Sequence, residues 1–281
     1  MDEQHNLSIL ERIHSAYYQL PAAERKVADY VLANHSQVQF MSITQLADEC
    51  GTAEATVSRF CRSLEVKGFN AFKLELARTP IHTSREAHDL DTQNGRSKHA
   101  GEMAVEAIEQ TLALVQPAKV LHAVELFEKA SRVMCIGSGG SMIIAEECAH
   151  LFSTVSGKFI AIGDSHTQMS ALATLGKQGV IVLFSYSGAT TDSIQMLELA
   201  KQLEIPTVLV TRYSKSPAAK LADIVLLCGS NESPVQFGSI AAKVAQLMVI
   251  DVLYQEYCYR NRAECEENIQ RIASALAVKH I

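Results

Sequence analysis

The sequence predicts two domains of different class. An all-α N-terminal domain spans residues 1–78, and an α/β C-terminal domain with a five-stranded parallel sheet flanked by helices spans residues 102–281, joined by a linker at 79–101. Three observations carry this expectation. From Leu7 to Ala77 short amphipathic helical patterns alternate with brief breaks, whereas from Arg132 to Cys228 β-branched apolar runs alternate with helical ones. Between them, Thr79 to Gly101 has few large apolar residues and many Thr, Ser, Asp, Asn, Gly and His. Finally, 281 residues, 48% of them hydrophobic and 20% charged, suffice for one large or two modest cores.

The first elements follow from helical spacing. Ile9, Ile13, Tyr17 and Leu20 recur on one face, and Pro21 opens a second helix with Val27, Tyr30, Val31 and Leu32 inward. Ser42-Ile43-Thr44-Gln45 is a capping box ahead of Leu46 and Ala47, and Gly51 supplies a left-handed helix stop. Thr52 or a neighbour then caps a helix whose inner face is Val57, Phe60, Cys61 and Leu64. Helix, tight glycine turn, helix is the layout of a helix-turn-helix, and equally of an ordinary αα-hairpin in a bundle.

The outward chemistry of the second helix favours DNA reading. Thr52, Glu54, Ala55, Thr56, Ser58, Arg59 and Arg62 are small, hydroxylated or charged, and Lys67 and Lys73 follow. From Arg59 to Arg78 five basic residues face two acids, a local +3. Overall charge runs the other way. The chain carries 25 basic and 31 acidic residues, a net of −6, of which residues 1–80 hold −2. Such a balance excludes a broadly polyanion-binding surface and a basic membrane anchor, and leaves a modest patch on an acidic body.

The run Ile43 to Leu64, with Lys67-Gly68-Phe69 and Phe72-Lys73, is similar to the N-terminal domain of RpiR-type bacterial transcriptional regulators. The resemblance implies a double-stranded operator as partner. Members of that family usually have Leu-Gly where this chain has Leu64-Glu65, a departure that removes a helix-ending glycine and adds an acid near DNA.

In the C-terminal half, a strand at Arg132–Ile136 runs into Gly137-Ser138-Gly139-Gly140-Ser141 and then a helix from Met142 to Thr154. Strand, glycines and helix gather backbone amides and the helix dipole at one point, which suits an anion. The dinucleotide pattern fails because Met142 stands where its third glycine belongs, and the Walker pattern is absent. A second turn, Ser185-Tyr186-Ser187-Gly188-Ala189-Thr190, links the strand Gly179–Phe184 to the helix Thr191–Leu203. Its hydroxyls and first-turn amides make a neutral phosphate cradle, or else a Ser/Thr-rich cap with no ligand. Lys158–Ile162, Pro206–Thr211 and Asp223–Cys228 complete the five strands.

These turns, with the later run Ser216 to Asp223, resemble the SIS (sugar isomerase) domain over about Val105 to Tyr259. By that resemblance Ser141, Ser185, Ser187 and Thr190, in loops that include Gly140 and Gly188, hold the phosphate of a phosphosugar effector. It further implies that His166 and Glu232 bind hydroxyls at the sugar end; taken alone they read equally as a capping or solvated histidine and an exposed acid. Glu232 and His166 also fit a base and a ring-opening group, so a phosphosugar aldose–ketose isomerase with a helical oligomerisation module is the alternative. A DNA-reading domain in the same chain favours sensing over turnover, with no catalytic residue assigned.

The helix Ser239–Tyr259 is apolar at Ile240, Val244, Leu247, Met248, Val252 and Leu253, which predicts packing on the sheet. The SIS resemblance adds a homodimer or homotetramer contact there, with Tyr254, Tyr257 and Tyr259 as anchors. Seven scattered cysteines without a C-x-x-C pair point to a reducing compartment, and no metal or cofactor motif is present. The N-terminus, with Asp2, Glu3, His5 and Asn6, lacks a signal-peptide pattern, and no run approaches the roughly 18 apolar residues of a membrane span. The expectation is a cytoplasmic regulator that needs no membrane.

Overall fold

The computed structural model describes residues 8–78, 93–229 and 239–277, without the side chains of Glu11, His14 and Gln93. They divide into one unit of residues up to Gly101 and another that begins at Glu102.

The first unit contains α1 (Ile9–Ala16), α2 (Ala22–Val38), α3 (Ile43–Glu49), α4 (Glu54–Ser63) and α5 (Phe69–Arg78). Ile9, Ile13, Val27, Val31, Leu46, Val57, Phe60, Cys61 and Phe72 form its core, with Phe60 and Phe72 edge to face at 5.5 Å. Pro21 lies one residue before α2 rather than in its first turn, and Ala28 joins Val27 and Val31 on the buried stripe, with Tyr30 and Leu32 partly buried against it. The capping box before α3 is present in both directions. The Gln45 amide donates to Ser42 Oγ at 3.1 Å, and the Ser42 amide to Gln45 Oε1 at 2.9 Å. At the far end Gly51 stands at φ 59, and the Thr52 amide reaches back to the Ala47 carbonyl at 2.8 Å. Ala53, not Thr52, precedes α4, with no side-chain cap.

Residues 79–101 were expected to link the domains. They are described from Gln93 onward, where the chain is helical, because α6 runs Gln93–Leu114 through Gly95 and Gly101. A helical glycine costs only about 1 kcal/mol. The Ala, Lys, Met and Glu residues around Gly101 are strong helix formers that a polar composition reads as linker.

In the second unit β1 (Arg132–Gly137), β2 (Phe159–Ala161), β3 (Gly179–Phe184), β4 (Thr207–Thr211) and β5 (Ile224–Leu227) form a parallel sheet in the order β2-β1-β3-β4-β5. β1 and β3 pair from Arg132 opposite Gly179 to Gly137 opposite Phe184. Helices cover both faces, as both-sided burial of a parallel sheet requires. Val133, Cys135, Val182, Phe184, Val208 and Val210 pack with α7 (Pro117–Lys129), α8 (Gly140–Ser153) and α11 (Ile240–Arg260). Met134, Ile136, Ile181, Leu183 and Leu209 pack with α9 (Ser165–Leu175) and α10 (Thr191–Gln202).

α11 buries Ala245, Val249, Leu253 and Tyr257, and leaves Ile240, Leu247 and Tyr259 exposed. Tyr257 is therefore core, and Tyr254 Oη meets Thr154 Oγ1 at 3.2 Å, so of the three tyrosines only Tyr259 is free of the intrachain packing. α12 (Arg262–Leu276) closes the described chain. Arg260 grips Glu128 of α7 through two bonds of 2.7 and 3.0 Å, which holds that carboxyl below the usual carboxylate range. All seven cysteines are free thiols, and among the described residues no helix is long and apolar enough to cross a membrane.

Candidate functional site

In the N-terminal unit, α4 presents Ala55, Arg59 and Arg62 to solvent, and Lys67 follows on the turn. Thr52, Glu54 and Ser58 are half-buried. Glu54 Oε1 accepts from Thr44 Oγ1 at 2.6 Å, which ties the start of α4 to α3. Two residues expected on the DNA face are placed otherwise. Thr56 is only 5% exposed, because it stands one turn before Phe60 on the buried stripe, and its hydroxyl receives Arg59 Nη2 at 3.2 Å. Lys73 folds its ammonium onto the Met41 carbonyl at 3.0 Å, with the Phe69 ring 5.5 Å away, and burial pushes its pKa down to about 8. What remains outward is a cation set of Arg59, Arg62 and Lys67.

In the second unit, the strand order reverses between β1 and β3, the crevice where open α/β sheets take ligands beyond their carboxyl ends. Both expected loops end there. After β1, Gly139 takes φ 56 ahead of α8, and Gly137 must be glycine because a Cβ would stand 2.7 Å from the Ser141 carbonyl oxygen. After β3, Ser185 is 3% exposed and its Oγ finds no partner among the described residues. The Gly188 amide donates to the Ser185 carbonyl at 3.1 Å, and Ser187 Oγ accepts the Ala189 amide at 3.3 Å. Thr190 precedes α10 without capping it through its side chain. The first-turn amides of α10 therefore face the loop. Ser138 Oγ donates to Asp192 Oδ2 at 3.2 Å, which ties the two loops together and engages the acid in that first turn.

The wall behind the second loop comes from Thr211 to Ala218. Thr211 Oγ1 donates to the Tyr186 carbonyl at 3.1 Å, and the Ala218 amide to the Gly188 carbonyl at 2.9 Å. Asp164 caps α9 by accepting from the Thr167 amide and hydroxyl at 2.8 and 2.9 Å, which lowers its pKa. His166 is exposed in the next turn, beyond the end of β2, so the expected sugar-end histidine has its side chain in solvent. Glu232 lies outside the described residues. No group of His, Cys, Asp and Glu fit to hold a metal occurs among the described residues.

Residues 7–80 match the helix-turn-helix domain of the rpiR family, and residues 126–255 match the SIS domain. A Haemophilus influenzae HTH-type transcriptional regulator is 30% identical over 255 residues, 88% of each chain. The regulator YbbH of Bacillus subtilis is 30% identical over 247 residues, 86% of this chain and 87% of its own. The chain belongs to the rpiR family of helix-turn-helix transcriptional regulators. Among solved structures, Vibrio vulnificus NanR, complexed with ManNAc-6P, is similar with a TM-score of 0.85 at 28% identity, over 97% of this chain and all of that one.

Two residues beside the first loop of this regulator escape a reading along the chain. Gln168 is 2% exposed, and its Nε2 reaches the carbonyls of Ile162 at 2.7 Å and Gly137 at 3.1 Å. It thereby fastens α9 to the first loop. Lys243, on α11, brings its Cε to 3.8 Å from where a Cβ on Gly140 would stand, so a cation stands beside the first loop. Neither carries a local motif, since the first-loop residues they approach, Gly137 and Gly140, lie 31 and 103 positions away in the sequence.

Proposed function

We propose that this rpiR-family regulator binds double-stranded operator DNA through α4, and that a phosphosugar in the crevice between β1 and β3 sets its affinity for that DNA. The observation that carries the effector half is the buried Ser185 hydroxyl, without a partner among the described residues, at the start of a helix with no side-chain cap, with Lys243 beside the first loop. An anion with several acceptor oxygens satisfies all of these groups at once. In this reading Ser141, Ser185, Ser187, Thr190 and the backbone at Gly140 and Gly188 hold the phosphate. His166 and Glu232 meet the sugar hydroxyls. The similarity to NanR, solved with ManNAc-6P, supports a sugar or amino-sugar phosphate.

Arg59, Arg62 and Lys67 make the phosphate and base contacts, with Thr52, Glu54, Ala55 and Ser58 along the same helix start. A homodimer or homotetramer matches a pseudo-palindromic site, and the exposed Ile240, Leu247 and Tyr259 on α11 supply apolar surface for that assembly. The protein works in the cytoplasm, where its DNA is. It binds the sugar rather than converting it, because a chain that reads DNA gains nothing from turnover, and coupling requires only unequal affinity in two states.

The test is a thermal-shift panel of hexose phosphates, amino-sugar phosphates and inorganic phosphate, run with a turnover assay. Saturable stabilisation without turnover is expected, and conversion of any aldose or ketose phosphate would overturn the sensor reading. Ser187→Ala removes one charge-assisted hydrogen bond, so the effective phosphosugar should bind about tenfold to a hundredfold more weakly while DNA affinity in a gel-shift titration stays the same.

A further inference from the structure

Helix α4 ends in a Schellman turn. The Val66 amide donates to the Cys61 carbonyl at 2.9 Å and the Glu65 amide to the Arg62 carbonyl at 2.9 Å. Between helix and exit stands Glu65 at φ 58, a left-handed position whose ordinary occupant is glycine, since a Cβ is strained there. α3 ends in the same pair of bonds, from Thr52 to Ala47 and from Gly51 to Asp48, with Gly51 at φ 59. One end of the helix-turn-helix thus has the residue its backbone prefers, and the other does not.

At the disfavoured end a side chain from elsewhere intervenes. Arg12 of α1 donates from Nη2 to the Leu64 carbonyl, the residue before Glu65, and its Nη1 meets Glu75 Oε2 of α5 at 2.6 Å. Its side chain is 20% exposed, so the guanidinium is held between protein groups rather than extended into solvent. A cation at the carbonyl end of a helix complements the dipole, and a planar fork that spans two acceptors fixes both in direction.

We infer that Arg12 is a positioning residue for DNA reading. Its guanidinium holds the Leu64–Glu65 turn in the left-handed form, and so sets where Arg62 and Lys67, on either side of the turn, stand relative to Arg59. The inference rests on the reading of α4 as the DNA-contacting helix.

The experiment uses the full chain and its Arg12→Met variant. The probes are a duplex selected by the wild-type chain from a randomised pool and a scrambled duplex of the same length, titrated by anisotropy at several salt concentrations. Affinity for the selected duplex is expected to fall about tenfold or more, with affinity for the scrambled one and the salt slope unchanged, because Arg12 is engaged with protein and not with phosphate. Adding Glu65→Gly should bring the Arg12→Met chain to within about threefold of Glu65→Gly alone, since glycine needs no clamp. A readout without DNA accompanies these: amide exchange at Glu65 and Val66 should quicken in Arg12→Met while Gly51 and Thr52 keep their rates. If the wild-type chain selects no duplex, the DNA reading fails, and amide exchange still decides the clamp. Unchanged exchange, or equal loss on both duplexes with a salt slope shallower by about one, overturns the inference. Should Arg12→Met alone fail to fold, Glu65→Gly and the double variant are compared, and a loss of about tenfold between them overturns it.

Discussion

Glu65, after α4, and Gly188, in the loop between β3 and α10, have nearly the same backbone angle, φ 58 and φ 59. Their side chains could hardly differ more. At Glu65 the side chain is exposed, and the left-handed conformation costs roughly 1–2 kcal/mol, a local cost that neighbouring bonds can offset. At Gly188 a Cβ would stand 2.1 Å from Ser216 Oγ and 3.0 Å from Thr211 Oγ1. The angle sets a preference for glycine, and the neighbours turn it into a requirement. Glu204 repeats the lesson at φ 55 after α10, exposed and paired with Lys177. At these three positions the surroundings, rather than the angle, separate an obligatory glycine from a tolerated side chain.

The sharpest way to break this comparison is Gly188→Ala. With a backbone strain and a hard contact against Ser216, the substitution should cost about 3 kcal/mol or more, read by chemical denaturation, and should abolish stabilisation by the effective phosphosugar. A folded variant with wild-type stability would mean that the Ser216 wall yields freely. Glu65→Gly should act in the opposite direction, raising stability by about 1 kcal/mol because only the strain is relieved. An unchanged melting temperature would show that the Arg12 contact already offsets it in full.

A smaller effect, far from both turns, gives a baseline. Arg260 and Asn261 depress the Glu128 pKa, so the pair stabilises the fold above the ordinary carboxylate range near 4.5 and loses that contribution as pH falls through the lower folded value. Glu128→Gln should therefore cost under about 1 kcal/mol at pH 7, and the difference from wild type should shrink toward zero in acid denaturation series near pH 3. A difference that grows with acidity would reverse the sign of this argument.

Much of the site was legible because its determinants are local. The capping box at Ser42 and Gln45, the stop at Gly51, the inner face Val57, Phe60, Cys61 and Leu64, and the strand–loop–helix units around Gly137 and Ser185 each involve residues a few positions apart. Periodicity and cap chemistry act over that range. The misplacements came from partners beyond it. Thr56 looks outward by composition but falls on the buried stripe, and Lys73 looks like a phosphate contact, yet its ammonium is buried against the carbonyl of Met41, 32 residues earlier. Separately, the segment from Gln93 to Gly101, the end of the expected linker, is helical because its helix formers outweigh its glycines.

The sequence by itself determined the two-domain plan, the helix-turn-helix, the five parallel strands and the two glycine- and serine-rich loops after β1 and β3, because hydrophobic period and turn residues encode them directly. Tertiary structure alone decided that Lys73 turns inward while Arg59, Arg62 and Lys67 stay exposed, and that Lys243 and Gln168 join the first loop. It also decided that Arg12 secures a turn without its glycine and that Ser216 forbids anything else at Gly188. Hydrogen bonds and steric contact act over a few ångströms of space, and chain distance says nothing about who arrives there.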